Sequence, residues 1–187
     1  PRNVAGNLNA PTTPLQAQIQ RLLDIAYTDR SSLPLEKENF DGNALIKQAI
    51  EDLQPLIDQK GAVVTSSLAA TEPVICADRS YLLLAFINLI ENAIKYSVKP
   101  AIEVASWNAG PDFCISVKDN GIGINLAHHK KIFDRFYRIT HGDLHTAKGF
   151  GLGLKFVKKV IDAHDGKIEV QSEEKKGSTF IIKVPIK

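Results

Sequence analysis

The stretch from residue 78 to residue 97 carries the longest helical pattern in the chain, and it restricts the fold more than any other feature. At about 100° per residue, its apolar side chains fill one broad side of a helix. These side chains are Leu82, Leu83, Phe86, Leu89, Ile90, Ala93 and Ile94. Asp78 is the predicted N-cap, because a carboxylate at that position accepts hydrogen bonds from free backbone N–H groups. We therefore expect a long helix whose apolar side must be covered by other elements.

The opposite side of this helix carries amides. Asn88, Asn92 and Lys95 lie within about 60° of one another, with Tyr81 and Tyr96 beside them. Exposure to solvent is one explanation, although exposed faces more often mix Glu with Lys. A nucleotide site is the other, because amide oxygens suit a Mg²⁺ ion whose charge is met by phosphates, and a nearby lysine attracts phosphate. The helix alone leaves both explanations open.

Shorter helical and strand patterns alternate around the long helix. Helices are predicted from Asn43 to Lys60 and over 151–164, and a narrow coiled-coil-like stripe predicts a helix from Pro14 to about Asp29. Strands are predicted at 62–68, 73–77, 101–107, 112–119, 167–173 and 178–185. This order predicts an α+β fold, a two-layer α/β sandwich whose mixed sheet is covered on one face by helices and preceded by a short helix.

Composition narrows the class of partner. The 187 residues carry a net charge of +2, which gives no electrostatic reason to expect nucleic acid or an anionic membrane. The longest apolar run is too short to span a bilayer, and no signal peptide is visible. Cys76 and Cys114 belong to no metal or redox motif, so we expect buried free thiols in a reducing compartment.

Two glycine motifs suggest ligand contacts. In the first, Asp119 ends a predicted strand, and Gly121 and Gly123 would let a flat ring approach the backbone. In the second, residues 148–154, three alternating glycines open a helix whose N–H groups favour phosphate. An ordinary turn and a hinge without a ligand are the alternatives. Neither motif is a dinucleotide fingerprint or a P-loop.

The segment between the two motifs is predicted to be a lid. Phe133, Phe136 and Tyr137 are spaced to anchor part of it, while the rest is polar. Its basic residues could meet phosphates, although each of them could equally be solvated.

In this order, the motifs resemble those of the ATP-binding catalytic domain of sensor histidine kinases. That superfamily also includes gyrase-type topoisomerases, the heat-shock chaperone ATPase and mismatch-repair ATPases. The similar stretches are NLIENAIKYS (88–97, N box), DNGIGI (119–124, G1 box), IFDRFYR (132–138, F box), KGFGLGL (148–154, G2 box) and GSTF (177–180, the last glycine motif). The resemblance covers about residues 40–187, and five boxes in sequence are far more specific than any one. The resemblance implies a Bergerat-type fold that holds an adenine nucleotide under a lid.

The resemblance also implies roles for individual residues. Asn92, supported by Asn88, would hold Mg²⁺, and Lys95 would reach phosphate. Tyr96 would pack near the adenine, whose amino group Asp119 would bind. The residues implied to shape the pocket, face the phosphates or hold the base are Gly121, Gly123, Arg138, Lys148, Gly149, Phe150, Gly151, Leu152, Gly153, Leu154 and Thr179.

One position separates the subclasses of this superfamily. Hydrolytic members place a glutamate one helical turn before the metal-binding asparagine, where it activates water. This chain has Asn88 there, and an amide cannot take the proton. A kinase is therefore favoured, with no certain catalytic base and Glu91 as a weak candidate.

The resemblance implies that the chain binds MgATP and donates the γ-phosphate to a histidine on an absent dimerisation domain, for signalling to a response regulator. None of the five histidines has the sequence context of a phosphoacceptor. The alternatives are a nucleotide-binding pseudokinase, or an ATP-hydrolysing or serine-directed kinase of the same superfamily.

The predicted organisation has two parts. Residues 1–35 would be a disordered start and the remnant of a dimerisation helix, and residues 36–187 the catalytic domain. We expect a homodimeric parent, no nucleic-acid or membrane contact by this chain, and a cytoplasmic location, either free or as part of a membrane-bound sensor.

Overall fold

The computed structural model describes residues 33–139 and 151–186. The helix predicted at 14–29 lies outside these ranges. The described residues do not test the domain boundary predicted at residue 35. Both stay predictions. The strands are β1 (Glu38–Asp41), β2 (Val63–Leu68), β3 (Val74–Ala77), β4 (Ala101–Ala109), β5 (Asp112–Asp119), β6 (Lys167–Glu173) and β7 (Gly177–Pro185). The helices are α1 (Gly42–Asp52), α2 (Gln54–Lys60), α3 (Arg79–Lys95) and α4 (Gly153–Ala163), with two short 3₁₀ turns at Leu126–His128 and Lys131–Phe133.

Five strands form the main sheet, in the order β2-β4-β5-β7-β6. β2 pairs with β4 in parallel, and the other neighbours are antiparallel, so the sheet is mixed as predicted. Alternate residues of β5 and β7, such as Phe113, Ile115, Ile182 and Val184, are buried towards the helices. The α+β sandwich predicted from the sequence is confirmed.

The long helix α3 lies at the centre of the core. Asp78 caps it as predicted, because its Oδ1 accepts from the backbone N–H of Tyr81 at 3.0 Å. Burial extends further round the helix than the predicted apolar side, because Leu84 and Ile87 are also buried. The amides at Asn88 and Asn92 therefore interrupt a helix that is otherwise buried on most sides.

Two local features differ from the prediction. The helix expected from Asn43 to Lys60 is divided at Leu53, next to Pro55, whose ring cannot join an uninterrupted helical hydrogen-bond ladder. Residues 38–41, where no strand was predicted, form β1 and pair antiparallel with β3. The segment that precedes α1 is therefore attached to the rest of the domain by strand pairing.

The two cysteines are free thiols, as predicted. Cys114 is buried and Cys76 is half-buried. Burial, together with the nearby charge of Asp112, raises the pKa of the Cys114 thiol, which keeps it protonated and unreactive. No described helix is long and apolar enough to cross a bilayer.

Candidate nucleotide site

The amide face of α3 packs on the first turn of α4. A Cβ atom on Gly153 would lie 2.9 Å from Oδ1 of Asn88 and 3.9 Å from Nδ2 of Asn92. The side-chain N–H₂ of Asn88 donates to the carbonyl of Leu84 at 2.8 Å, which fixes the amide and turns Oδ1 towards Gly153. The glycine therefore leaves room for two amides to approach a helix start.

The start of α4 has free backbone donors of its own. Leu152 is the N-cap residue and makes no side-chain capping bond, so the first-turn N–H groups keep their donor capacity. Gly151 has φ +69°, a left-handed conformation that glycine adopts without strain. Leu154 points the other way and packs against the core. Backbone donors and side-chain amides thus lie side by side, as a polyphosphate with its cation requires.

Lys95 and Glu91 contact each other. The ammonium of Lys95 lies 2.7 Å from Oε1 of Glu91, one helical turn away, and about a third of each side chain is exposed. Such a pair stabilises a helix by about 0.3–0.5 kcal/mol, so a phosphate could displace the carboxylate at little cost. The phosphate role of Lys95 and the weak candidacy of Glu91 as a base stay predictions.

Asp119 ends β5 as a buried carboxylate. Its Oδ1 accepts from the backbone N–H of Gly121 at 2.8 Å and of Ser178 at 3.2 Å. Among the described residues, no hydrogen bond reaches Oδ2. No buried side-chain oxygen there lacks a partner, so Oδ2 must keep some access to solvent. One oxygen is therefore held in place and the other is available to a ligand donor.

The environment of Asp119 opposes its charge. Burial raises the pKa of this carboxyl above its ordinary value, and the two backbone hydrogen bonds from Gly121 and Ser178 only partly offset that effect. A carboxylate that is costly to ionise accepts a strong hydrogen bond from a ligand donor, because little water competes with that bond.

Two glycines beside Asp119 form close backbone contacts, and the region around these three residues is the predicted adenine pocket. A Cβ atom on Gly121 would come within 2.6 Å of the Tyr96 carbonyl oxygen. A Cβ atom on Gly123, where φ is +67°, would come within 1.9 Å of the Glu173 carbonyl oxygen. Both predicted positions therefore require glycine for backbone contact, which brings the segment after β5 against the end of α3 and the β6–β7 turn.

Tyr96 enters the pocket through its backbone. Its carbonyl accepts from the N–H of Ile122 at 3.1 Å, which holds the end of α3 beside the first glycine motif. The Tyr96 side chain is 43% exposed at this rim. Its exposed ring is compatible with packing on a base, and that role stays a prediction.

Ser178, in the last glycine motif, reaches Asp119 through its backbone N–H, and the role of the neighbouring Thr179 stays a prediction. Ser178 is buried on the helix side of β7, whereas Thr179 pairs with Lys118 on the opposite face of the sheet. The hydroxyl of Ser178 lies 2.9 Å from that of Ser172. Period-two alternation could have found this residue, because Ser178 shares its face with Phe180.

Asn120 is a further structural residue that the sequence did not reveal. Its Oδ1 accepts from the N–H of Ala101 at 3.0 Å, and its Nδ2 donates to the carbonyl of Lys99 at 2.9 Å. These bonds join the end of β5 to the loop that follows α3. Asn120 therefore supports the pocket without facing it.

The predicted lid is described only at its two ends. Lys148, Gly149 and Phe150 lie outside the described residues, and Arg138, which precedes them, is exposed. Phe136 was predicted to anchor the segment and does not, because it is 66% exposed with φ +58°. Ile132 is the buried anchor, and Phe133 and Tyr137 pack partly against the core.

The ends of this segment meet each other. A Cβ atom on Gly151 would lie 3.1 Å from the Tyr137 carbonyl oxygen. The Tyr137 hydroxyl is 2.6 Å from Nδ1 of His128, and the two rings lie 5.9 Å apart. The described residues on either side of 140–150 therefore lie close together, beside the start of α4.

The ligand groups of this site suit a cation that keeps much of its hydration shell. In residues 33–139 and 151–186, no three His, Cys, Asp or Glu side chains are grouped to hold a metal ion. The amide oxygens of Asn88 and Asn92 are neutral ligands, which suits Mg²⁺ carried in by phosphates rather than held in an all-protein cage. These two residues would hold the ion.

The sequence profile of the family described as histidine kinase-, DNA gyrase B-, and HSP90-like ATPase matches residues 77–187. The chain belongs to this family. The matched region begins just before α3 and includes every part of the pocket described above. The resemblance inferred from the five boxes is confirmed.

The curated relatives are sensor proteins. Sensor protein RprX of Bacteroides fragilis (strain YCH46) is 39% identical over 189 residues, covering 99% of this chain and 36% of RprX. Sensor protein SrrB of Staphylococcus aureus (strain NCTC 8325 / PS 47) is 34% identical over 174 residues, covering 91% of this chain and 29% of SrrB. The chain thus spans about a third of the length of these relatives.

Solved structures agree on the fold. The catalytic domain of histidine kinase ThkA, in a nucleotide-free form, has a TM-score of 0.71 at 27% identity, covering 81% of this chain and 96% of that one. Full-length ShkA in complex with AMPPNP has a TM-score of 0.76 at 23% identity, covering 91% of this chain and 35% of ShkA. The chain is an ATP-binding domain of the sensor histidine kinase type.

Proposed function

We propose that this domain binds ATP together with Mg²⁺ and donates the γ-phosphate to a histidine on a dimerisation domain. The observation that carries the proposal is the contact between the amides of Asn88 and Asn92 and the first turn of α4 at Gly153. It supports a site in which the proposed cation ligands would lie beside the proposed phosphate donors. The arrangement supports catalysis by positioning and charge neutralisation rather than by covalent chemistry.

The adenine end of the site supports the same orientation of the nucleotide. Oδ2 of Asp119 would accept from the exocyclic amino group, while Gly121 and Gly123 let the ring lie against the backbone. Because α3 runs from Asn88 to Tyr96 past both ends of the site, a nucleotide bound to Asp119 would extend its phosphates towards the amides and the start of α4.

Asn88 favours transfer to protein over transfer to water. It occupies the position of the hydrolytic glutamate, and its amide donates to Leu84 while its oxygen faces Gly153. An amide cannot remove a proton from water, so the attacking group must bring its own base or need none. Transfer would then wait for the phosphoacceptor, and a response regulator would receive the phosphate next.

The proposal is tested with the full-length dimeric parent protein and ATP labelled on its γ-phosphate. We expect acid-labile, alkali-stable label on the protein, which indicates phosphohistidine. Asn92→Ala should reduce labelling by more than about tenfold, since it removes a cation ligand, while Lys158→Ala in the middle of α4 should not. Stable nucleotide binding without any labelling would instead identify a pseudokinase.

A further inference from the structure

A buried histidine lies at the opposite end of α4 from the proposed phosphate site. His164 follows the last turn of α4 and is 3% exposed. Its Nε2 lies 2.9 Å from the backbone N of Asp78, and its Nδ1 lies 2.8 Å from the carbonyl oxygen of Val160. A backbone N–H can only donate, so Nε2 must be the unprotonated nitrogen and Nδ1–H must donate to Val160.

Asp78 carries this contact to a third segment of the chain. Its Oδ1 caps α3 through the N–H of Tyr81, and its Oδ2 accepts from the backbone N–H of Glu36 at 3.0 Å. Asp78 is itself 7% exposed. Three segments therefore meet through one hydrogen-bond chain, which is buried at His164 and part-buried at Glu36: the residues that lead into β1, the start of α3 and the end of α4.

The two helices approach each other closely at both ends, through a hydrogen bond at one end and through close packing at the other. α4 is 11 residues long, about 16 Å, and runs antiparallel to α3. At one end His164 contacts Asp78, and at the other Gly153 receives the amides of Asn88 and Asn92. Phe156 meets Tyr81 between the two ends, with ring centroids 6.5 Å apart. Because packed helices move as rigid bodies, a change at the His164 end alters the Gly153 end.

We propose that His164 is a positioning residue for the nucleotide site. Through Asp78, it also ties the segment at residues 33–37 to the two helices that frame that site. The covalent connection to residues 1–32 passes through this segment. A change in the conformation of this segment can therefore shift α3 relative to α4. In return, a bound nucleotide can shift the conformation of the segment. The effect on nucleotide affinity rests on the proposed function, whereas the hydrogen-bond chain does not.

The charges around the imidazole make the contact sensitive to protonation. Burial lowers the pKa of His164 and Lys37 lowers it further, while the hydrogen bond to Val160 and the charges of Asp78 and Asp165 act in the opposite direction. A protonated imidazole cannot accept from the Asp78 N–H, so protonation breaks the chain at its centre.

Two substitutions distinguish the hydrogen bond of His164 to Asp78 from its hydrogen bond to Val160. Glutamine places its amide close to the position of Nε2, so His164→Gln keeps an acceptor for Asp78. Asparagine reaches only the position of Nδ1, so His164→Asn keeps the bond to Val160 and loses Asp78. Amide hydrogen exchange at Asp78 and Glu36 in the nucleotide-free protein, and affinity for MgATP, are measured for both variants and wild type.

We expect His164→Asn to speed exchange at both amides by at least about tenfold and to weaken MgATP binding severalfold, with His164→Gln close to wild type in both. Equal effects of the two variants, or an unchanged Glu36 amide in His164→Asn, would overturn the proposal. Normal MgATP affinity in His164→Asn would remove the positioning role. Failure of wild-type protein to bind MgATP would instead refute the proposed function.

If His164→Asn does not fold, wild-type protein supplies the same test. The amide proton shifts of Asp78 and Glu36 are followed by NMR while the His164 imidazole is titrated. We expect both amides to follow the imidazole. A Glu36 amide that stays constant while His164 titrates would contradict the connection.

Discussion

At the scale of single residues, Asp119 illustrates a conflict between stability and ligand binding. Its pKa is raised in the folded protein, so ionisation of Asp119 at neutral pH costs folding free energy. A group of this kind contributes stability below its unfolded pKa and loses that contribution as the pH rises through its folded pKa. The site therefore keeps a carboxylate that the nucleotide-free fold does not favour.

Asp119→Asn should accordingly raise the Tm of the nucleotide-free domain. Asparagine Oδ1 can still accept from Gly121 and Ser178, while the ionisation cost disappears. The same change should weaken ATP and ADP equally, because a side-chain amide N–H₂ would face the amino group of the base. Thermal unfolding and calorimetric titration measure the two effects. Unchanged ATP affinity would remove Asp119 from the adenine site.

Acidification should weaken nucleotide binding in the wild-type protein. Because burial raises the pKa of Asp119, the acceptor should be lost at a higher pH than for an ordinary aspartate. Affinity for ADP without Mg²⁺, measured across the acid range, isolates this group from the metal. Asp119→Asn is the control, since its weaker affinity should fall less on acidification than the affinity of wild type.

The residues of the site differ in how well the sequence predicted them. Asp119, Gly121 and Gly123 follow directly from the motif, and the structure brings them together. GSTF contains two adjacent hydroxyl residues, and only the strand alternation decides that Ser178 faces inwards, while the role of Thr179 stays a prediction. The local sequence around Asn120 gives no sign of the long-range contacts that it makes.

At the scale of helices and strands, the two hairpins were predicted almost to the residue, because period-two alternation is strong in β5 and β7. β1 was missed, since ENFD is short and mostly polar, and its pairing with β3 depends on tertiary contacts. The exposed Phe136 was misjudged because an aromatic residue by itself does not report which way the chain turns.

The contact between α3 and α4 gives a prediction for Gly153→Ala. The new Cβ would lie 2.9 Å from Asn88 Oδ1, so the helix start or the amide must move. We expect a loss of about 1–3 kcal/mol in unfolding free energy, and weaker MgATP binding.

The matched control on the same helix is Lys158→Ala, which removes only an ion pair with Asp162. It should cost no more than about 0.5 kcal/mol. Equal losses in denaturant unfolding for the two variants would contradict the close packing at Gly153.

His164, at the C-terminal end of α4, should make the thermal stability of the protein sensitive to acid. The folded pKa of His164 is lowered, so its stabilising contribution is complete above the unfolded value of about 6.5 and is lost as the pH falls through the folded value. The Tm of wild type should therefore fall over this range. His164→Gln cannot titrate and should show a smaller fall, and identical profiles would exclude His164 as the cause.

At the scale of the whole molecule, the core and the site depend on the same helix. α3 is buried through most of its length and still presents Asn88 and Asn92 to the start of α4. The β6–β7 turn and the end of β5 close the other end of the pocket. The fold was predictable because this order of patterns is specific, whereas the junction at His164 was not, because it joins residues 86 positions apart.

The measurement that most directly tests the account is calorimetric titration of this chain with ATP, with and without Mg²⁺, while free phosphate is monitored. We predict binding that Mg²⁺ strengthens, with negligible release of phosphate, because Asn88 cannot activate water. Steady release of phosphate would mean that water is being activated and would favour Glu91 as the base. Absence of binding would contradict the nucleotide site itself.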